Sequence, residues 1–245
     1  QQYADELHEL YHIRRSFAQP RVPRSENDRP SAESILSQAS KSDKLPDGSR
    51  IWALIVGINE YEDAPLNGCV NDADLMMEFI TKDLRVPQEH VTYLLNKSAT
   101  RAKIISALWK LCTDKSILHK AIVVIYFAGH GSSYVCSECH SVEPGEKPQP
   151  PSDVPRYCCP VEAICPFDRG IINDQFRSGV PDIGDREINT ILGKIAHPGR
   201  RITVIFDCCH SGGGARQILK PNARTLPPLS RAVYDDMCRE SMRLP

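Results

Sequence analysis

The sequence predicts an α/β domain with a mostly parallel central sheet and helices on both faces. Short, nearly continuous apolar runs alternate with stretches of helical period, and that alternation calls for a parallel sheet covered on both sides. Two of the runs also end in chemistry-bearing residues. Ile122–Ala128 delivers Gly129-His130-Gly131, and Ile202–Phe206 delivers Asp207-Cys208-Cys209-His210. In open α/β sheets, the carboxyl ends of the strands are where ligands bind and reactions occur.

Residues 1–48 are polar and carry Pro20, Pro23, Pro30 and Pro46 without a sustained period. They read as a flexible extension, a linker or pro-segment, with a short helix near Asp5–Phe17. Ile51–Ile58 is the first buried strand, ended by Asn59. A helix is expected over Asp72–Leu84, with Leu75, Met76, Phe79 and Ile80 near helical spacing and Pro87 as its breaker. Val91–Leu95 is the second strand. Thr100 caps a helix to about Cys112, whose inward stripe is Ile104, Ile105, Leu108 and Leu111. Ile122–Ala128 is the third strand. Ser132–Pro166 has no hydrophobic period and holds seven prolines between Pro144 and Pro166, so it reads as a long inserted loop. A helix over Asp185–Ala196 precedes the fourth strand, Ile202–Phe206. After Gly214 come Pro221, Pro227 and Pro228, then one helical stretch, Leu229–Met242, and no further strong strand. No internal repeat is present.

The 245 residues, 41% of them apolar, suffice for one substantial domain with appendages. A net charge of −1 gives no reason to invoke nucleic acid or an anionic membrane. No apolar run approaches the roughly 18–20 residues of a membrane span. The start, Gln1-Gln2-Tyr3, lacks a signal-peptide pattern and an initiator methionine, which suggests a fragment or a processed chain. Of ten cysteines, Cys69, Cys112, Cys208 and Cys209 sit in or beside apolar elements, as reduced core cysteines do. A domain of this size needs no disulfide staples, so a reducing compartment, cytoplasm or nucleus, is expected.

A thiol is mostly protonated at neutral pH, and a neighbouring imidazole can take its proton. Successive strand side chains face opposite ways, so Cys208 and Cys209 cannot both point at His130. Asp207 and Cys209 share a face, as do Ala128 and His130. The N–H groups of Gly131 and Cys209 are candidates for an oxyanion hole. Buried Cys and His residues at strand ends are commonly structural; the flanking glycines at both sheet ends favour a Cys/His catalytic site here.

Four ordered segments carry a resemblance: Leu66-Asn67-Gly68-Cys69-Val70-Asn71-Asp72-Ala73, Tyr126-Phe127-Ala128-Gly129-His130-Gly131, Ile164-Cys165-Pro166-Phe167-Asp168 and Asp207-Cys208-Cys209-His210-Ser211-Gly212. Over roughly Arg50–Gly214 the chain resembles the metacaspases, caspase relatives of fungi, plants and protists, and most the fungal type. The resemblance implies a caspase-like fold and a cysteine endopeptidase with Cys209 as nucleophile and His130 as base. It implies an acidic substrate pocket at Cys69, Asp72 and Asp207, with Ala128 where many members place serine. Two carboxylates in a cleft suit a guanidinium or ammonium, so cleavage after Arg or Lys is implied. By residue type and position alone, Asp72 equally suits a helix N-cap.

Members of the family often bind calcium through aspartates, and Asp168 and Asp185 match two of these. Arg186 stands where another acid is expected, and calcium wants six to eight oxygens. Surface charge is therefore the favoured reading of both aspartates, and no cofactor is required. Cys136 and Cys139 have zinc-knuckle spacing, but Cys158 and Cys159 are adjacent, which argues against one tetrahedral zinc site. A complete caspase-like sheet has about six strands, as the resemblance implies, so this chain is expected to lack the small-subunit strands. The implied organisation is an extension (1–48), a large-subunit catalytic domain (49–215) with an insertion at 132–166, and a linker and helix (216–245) toward a small-subunit partner. The expected partners are that half and protein or peptide substrates bearing Arg or Lys. The alternative function is a non-catalytic caspase-like scaffold or regulatory module.

Overall fold

The computed structural model describes residues 47–134, 161–197, 199–208 and 226–243. Along the chain run β1 (Ile51–Gly57), α1 (Cys69–Glu78), β2 (Val91–Leu95), α2 (Arg101–Thr113) and β3 (Ile122–Ala128). There follow β4 (Gly131–Tyr134), β5 (Val161–Ile164), β6 (Ile183–Gly184), α3 (Asp185–Ala196), β7 (Arg201–Asp207) and α4 (Arg231–Arg243). The main sheet has the order β2-β1-β3-β7, and every pairing in it is parallel. No helix among the described residues is long and apolar enough to cross a membrane.

Alternation of side chains divides the core in two. On one face, Ala53, Ile55, Val124, Tyr126 and Ala128 of the sheet pack with Cys69, Ala73 and Ile80. On the other, Leu54, Val56, Val123, Ile125 and Phe127 meet Ile104, Leu108 and Leu111 of α2 and Ile188, Ile191 and Ile195 of α3. Each large aliphatic side chain so buried contributes about 1.5–3 kcal/mol relative to exposure. The α/β architecture with helices on both faces is therefore the one the sequence predicts.

The first helix differs from its expected span. It begins at Cys69, with Gly68 as N-cap at φ 136°, a conformation that suits glycine. The Asp72 N–H donates to Gly68 O at 2.8 Å, so Asp72 lies in the first turn and is not the N-cap. The helix then widens into a π-turn over Phe79–Asp83. Leu75 and Phe79 are 65% and 46% exposed. The cause is a close approach: a Cβ on Gly57 would lie 2.7 Å from the Ala73 Cβ and 2.8 Å from Cys69 O. Only small side chains fit that contact, so Cys69 and Ala73 take the inner face.

The 132–166 segment also departs from a patternless loop, because strands form at both of its ends. β4 pairs antiparallel with β5, and β5 with β6, making a second, three-stranded sheet. Residues 135–160, including Cys136, Cys139, Cys158 and Cys159, lie outside the described residues, as does the extension through residue 46. The described part of the C-terminal stretch packs on this second sheet. Tyr234 and Met237 of α4 are buried with Tyr134, Val161 and Ala163, and the Leu226 N–H donates to Gly131 O at 2.8 Å.

Candidate active site

His130 follows β3 by two residues and is 3% exposed. The loop after β1 is folded around it. Tyr61 and Leu66 both donate their N–H to Asn59 O, at 3.0 and 2.8 Å. The Asn96 carboxamide oxygen accepts from the Asn59 and Glu60 N–H groups, fixing the start of the loop. Ala64 O is thereby set 2.8 Å from His130 Nε2. A carbonyl only accepts, so Nε2 carries the proton of the neutral ring and Nδ1 is its basic nitrogen. From the same loop, the Tyr61 hydroxyl accepts the His130 N–H at 3.1 Å and donates to Cys165 O at 2.9 Å.

Asp207 closes β7 in register with Ala128, which is itself in register with Gly57. Tyr126, Ala128 and Asp207 therefore point to the α1 face, and the Tyr126 hydroxyl donates to Asp207 Oδ2 at 3.4 Å. Cys69, fully buried in the first turn of α1, joins the same core cluster as Tyr126 and Ala128. Asp72 sits half-buried in that turn. Three of the expected pocket positions, Cys69, Ala128 and Asp207, are thus gathered over one rim of the sheet, with Asp72 on the helix that covers it. Cys208 packs on the opposite, α2/α3 core, as strand alternation requires. Cys209 lies outside the described residues.

Comparison with known proteins bears on this arrangement. The family model described as metacaspase, peptidase C14 domain, matches residues 52–216, more than half of the chain. The chain belongs to the metacaspase family. It is 27% identical to Metacaspase-1A of Aspergillus oryzae over 65% of this chain and 34% of the relative. It is 29% identical to Metacaspase-4 of Arabidopsis thaliana over 66% of this chain and 33% of that protein. The chain thus spans about a third of the length of these curated relatives. In fold it is similar to protein GSU0716 from Geobacter sulfurreducens, with a TM-score of 0.54 and 25% identity over 78% of this chain and 66% of that one.

Within this metacaspase fold, Gly131 opens β4 opposite Ile164. That strand is fixed by a carboxylate the sequence reading missed. Asp182, with no exposed surface, accepts from Ser132 and Tyr134 hydroxyls at 2.6 Å each and from Arg169 Nε and Nη2 at 2.9 Å each. Burial first, then the Asp182 charge, hold the Tyr134 phenol well above its usual range. The only sequence signal was an acid and an arginine thirteen positions apart, which no periodicity distinguishes from surface charge. Cys165 is a buried thiol whose ionisation burial pushes up well above the usual value, so it is no nucleophile.

The two aspartates matched to calcium each accept a backbone N–H at a helix start. Asp168 accepts the Arg101 N–H at 2.7 Å at the start of α2, and Asp185 accepts the Arg186 N–H at 2.8 Å at the start of α3. Each satisfies an otherwise orphaned helix donor. Among the described residues no group of three His, Cys, Asp or Glu side chains is placed to hold a metal ion.

Proposed function

We propose that this chain is the catalytic part of a cysteine endopeptidase that cleaves after Arg or Lys, with Cys209 as nucleophile and His130 as base. The observation that carries the reading is the fixed ring of His130. With Nε2–H donated to Ala64 O, Nδ1 is the nitrogen that takes the thiol proton. The resulting thiolate attacks the scissile carbonyl carbon, and the N–H groups of Gly131 and Cys209 receive the developing oxyanion. The imidazolium then returns its proton to the leaving amine. Water, deprotonated by the same ring, releases the acyl group and regenerates the thiol.

Specificity follows from Asp207 and Asp72, whose carboxylates receive a basic side chain over the floor made by Cys69 and Ala128. Arginine matches a carboxylate bidentately and lysine as a point charge. The steps require no cofactor. A small-subunit half beyond this chain is the proposed partner, and a reducing cytoplasm or nucleus is the compartment in which the thiol stays competent.

Fluorogenic peptides ending in Arg, Lys or Asp test the reading, on this chain and on a version extended beyond Pro245, each with and without calcium. Cleavage after Arg and Lys is expected, abolished by Cys209→Ala and kept in Cys208→Ala. No cleavage in any arm would overturn it in favour of a scaffold, and cleavage after Asp would overturn the acidic pocket.

A further inference from the structure

We infer that Tyr61 is a positioning residue for the catalytic histidine, acting through its hydroxyl on the backbone of His130 and through its ring on the imidazole. The inference rests on the Cys/His reading above and goes beyond it. His130 follows a strand end, where backbone is least constrained, yet its ring must be held to a few tenths of an ångström for proton transfer. Tyr61 supplies that constraint in three ways. Its hydroxyl accepts the His130 N–H at 3.1 Å and donates to Cys165 O at 2.9 Å. Its ring lies against the imidazole, with centroids 4.7 Å apart and planes tilted by 58°. It is also one turn of loop from Ala64, whose carbonyl holds Nε2.

The hydroxyl therefore ties the strand end of His130 to the chain following β5. Cys165 completes the tie, donating its own N–H to His130 O at 3.0 Å. Tyr61 also explains a neighbouring glycine: a Cβ on Gly129 would stand 2.6 Å from the Tyr61 oxygen. Glycine at 129 is what admits the hydroxyl beneath the histidine. Tyr61 is 5% exposed, and burial drives its phenol well above the usual range, so it stays a neutral donor throughout the working pH range. It has almost no exposed surface, so its effect on the thiol is carried by His130.

The test reads Cys209 directly, so it needs no substrate and no small-subunit half. The rate of Cys209 alkylation by iodoacetamide is followed by peptide mass spectrometry from pH 5 to pH 10 in the wild-type chain, His130→Ala, Tyr61→Phe and Tyr61→Ala. In His130→Ala the reactivity onset is expected to move to about 8.5, the range of an unassisted thiol. In Tyr61→Phe, which keeps the ring, the low-pH reactivity is expected to fall about tenfold, with the onset between wild type and His130→Ala. Tyr61→Ala is expected to approach His130→Ala. Melting curves of each variant accompany the series. A Tyr61→Phe profile superimposable on wild type, at whatever melting temperature, overturns the positioning role while leaving the dyad intact. An unchanged His130→Ala profile overturns the dyad reading itself.

Discussion

Asp207 is placed by register: it is in line with Ala128 on the face that α1 covers. Its carboxylate already accepts one donor, the Tyr126 hydroxyl, and strand geometry aims it at the rim instead of the α2/α3 core. If it binds the basic side chain of the substrate, Asp207→Asn keeps the shape and the Tyr126 contact but removes the charge. Leaving a desolvated guanidinium unpaired costs on the order of 3–5 kcal/mol, more than two decades in rate. Asp207→Asn is thus expected to lower kcat/KM for Arg peptides by about 100-fold, chiefly in KM, without gain toward Asp peptides. An unchanged KM would remove Asp207 from the pocket. Asp72 was less legible: its residue type suits an N-cap, and only the φ of Gly68 moves the cap four residues upstream. Tyr61 and Ala64 were not legible at all. They act on His130 from 69 and 66 positions away, Ala64 through its backbone oxygen, and a backbone acceptor leaves no trace in residue type.

Among elements, the long apolar runs were readable because burial on both faces leaves nearly uninterrupted Ile, Val and Leu. β4 and β6 were not, since Gly-Ser-Ser-Tyr and a two-residue strand are too short to show a period. What anchors the helices is also invisible to periodicity. Arg101, at the start of α2, donates from Nη2 to both Glu187 carboxylate oxygens at 2.9 Å, and both side chains are almost wholly buried. Glu187→Leu is expected to destabilise the fold by about 3–5 kcal/mol, because it leaves the buried guanidinium with no acceptor, while Arg101→Met/Glu187→Leu recovers most of the loss. Denaturant unfolding of the three proteins measures this. The pH dependence has a definite sign. Burial raises the Glu187 carboxyl, although Arg101 opposes it. The contribution of that raised group is fully present below about 4.3, where an unfolded glutamate titrates, and falls as pH rises through the higher folded value. The stability difference between wild type and the double variant should shrink across that window; a difference that grows with pH would mean the Arg101 attraction wins instead.

At the scale of the molecule, the consequential feature is the β7 flank of the main sheet. Among the described residues β7 pairs with β3 alone, at the end of the strand order. In it Ile205 and Phe206 are 37% and 41% exposed, as expected of a sheet whose further strands lie outside this chain. Its apolar sequence is that of an interior strand. Its surroundings are those of an edge. The chain spans about a third of the curated relatives' length, and a further strand laid beside β7 would restore the burial its composition asks for. An apolar edge left open is a template for pairing with another chain. The isolated chain is therefore expected to self-associate as its concentration rises in sedimentation velocity runs. Lysines on the solvent side of the strand should suppress this by adding charge that a second strand would have to desolvate. Thr203→Lys/Ile205→Lys, at positions exposed in β7, is expected to leave the chain monomeric with an unchanged far-UV spectrum. If the proposed small-subunit half pairs with β7, a version that includes it should be monomeric without the lysines. Association of the lysine variant equal to that of wild type would show that β7 is not the contact, and would turn attention to Leu75 on α1 and Phe79 in the π-turn after it, which are likewise exposed and apolar.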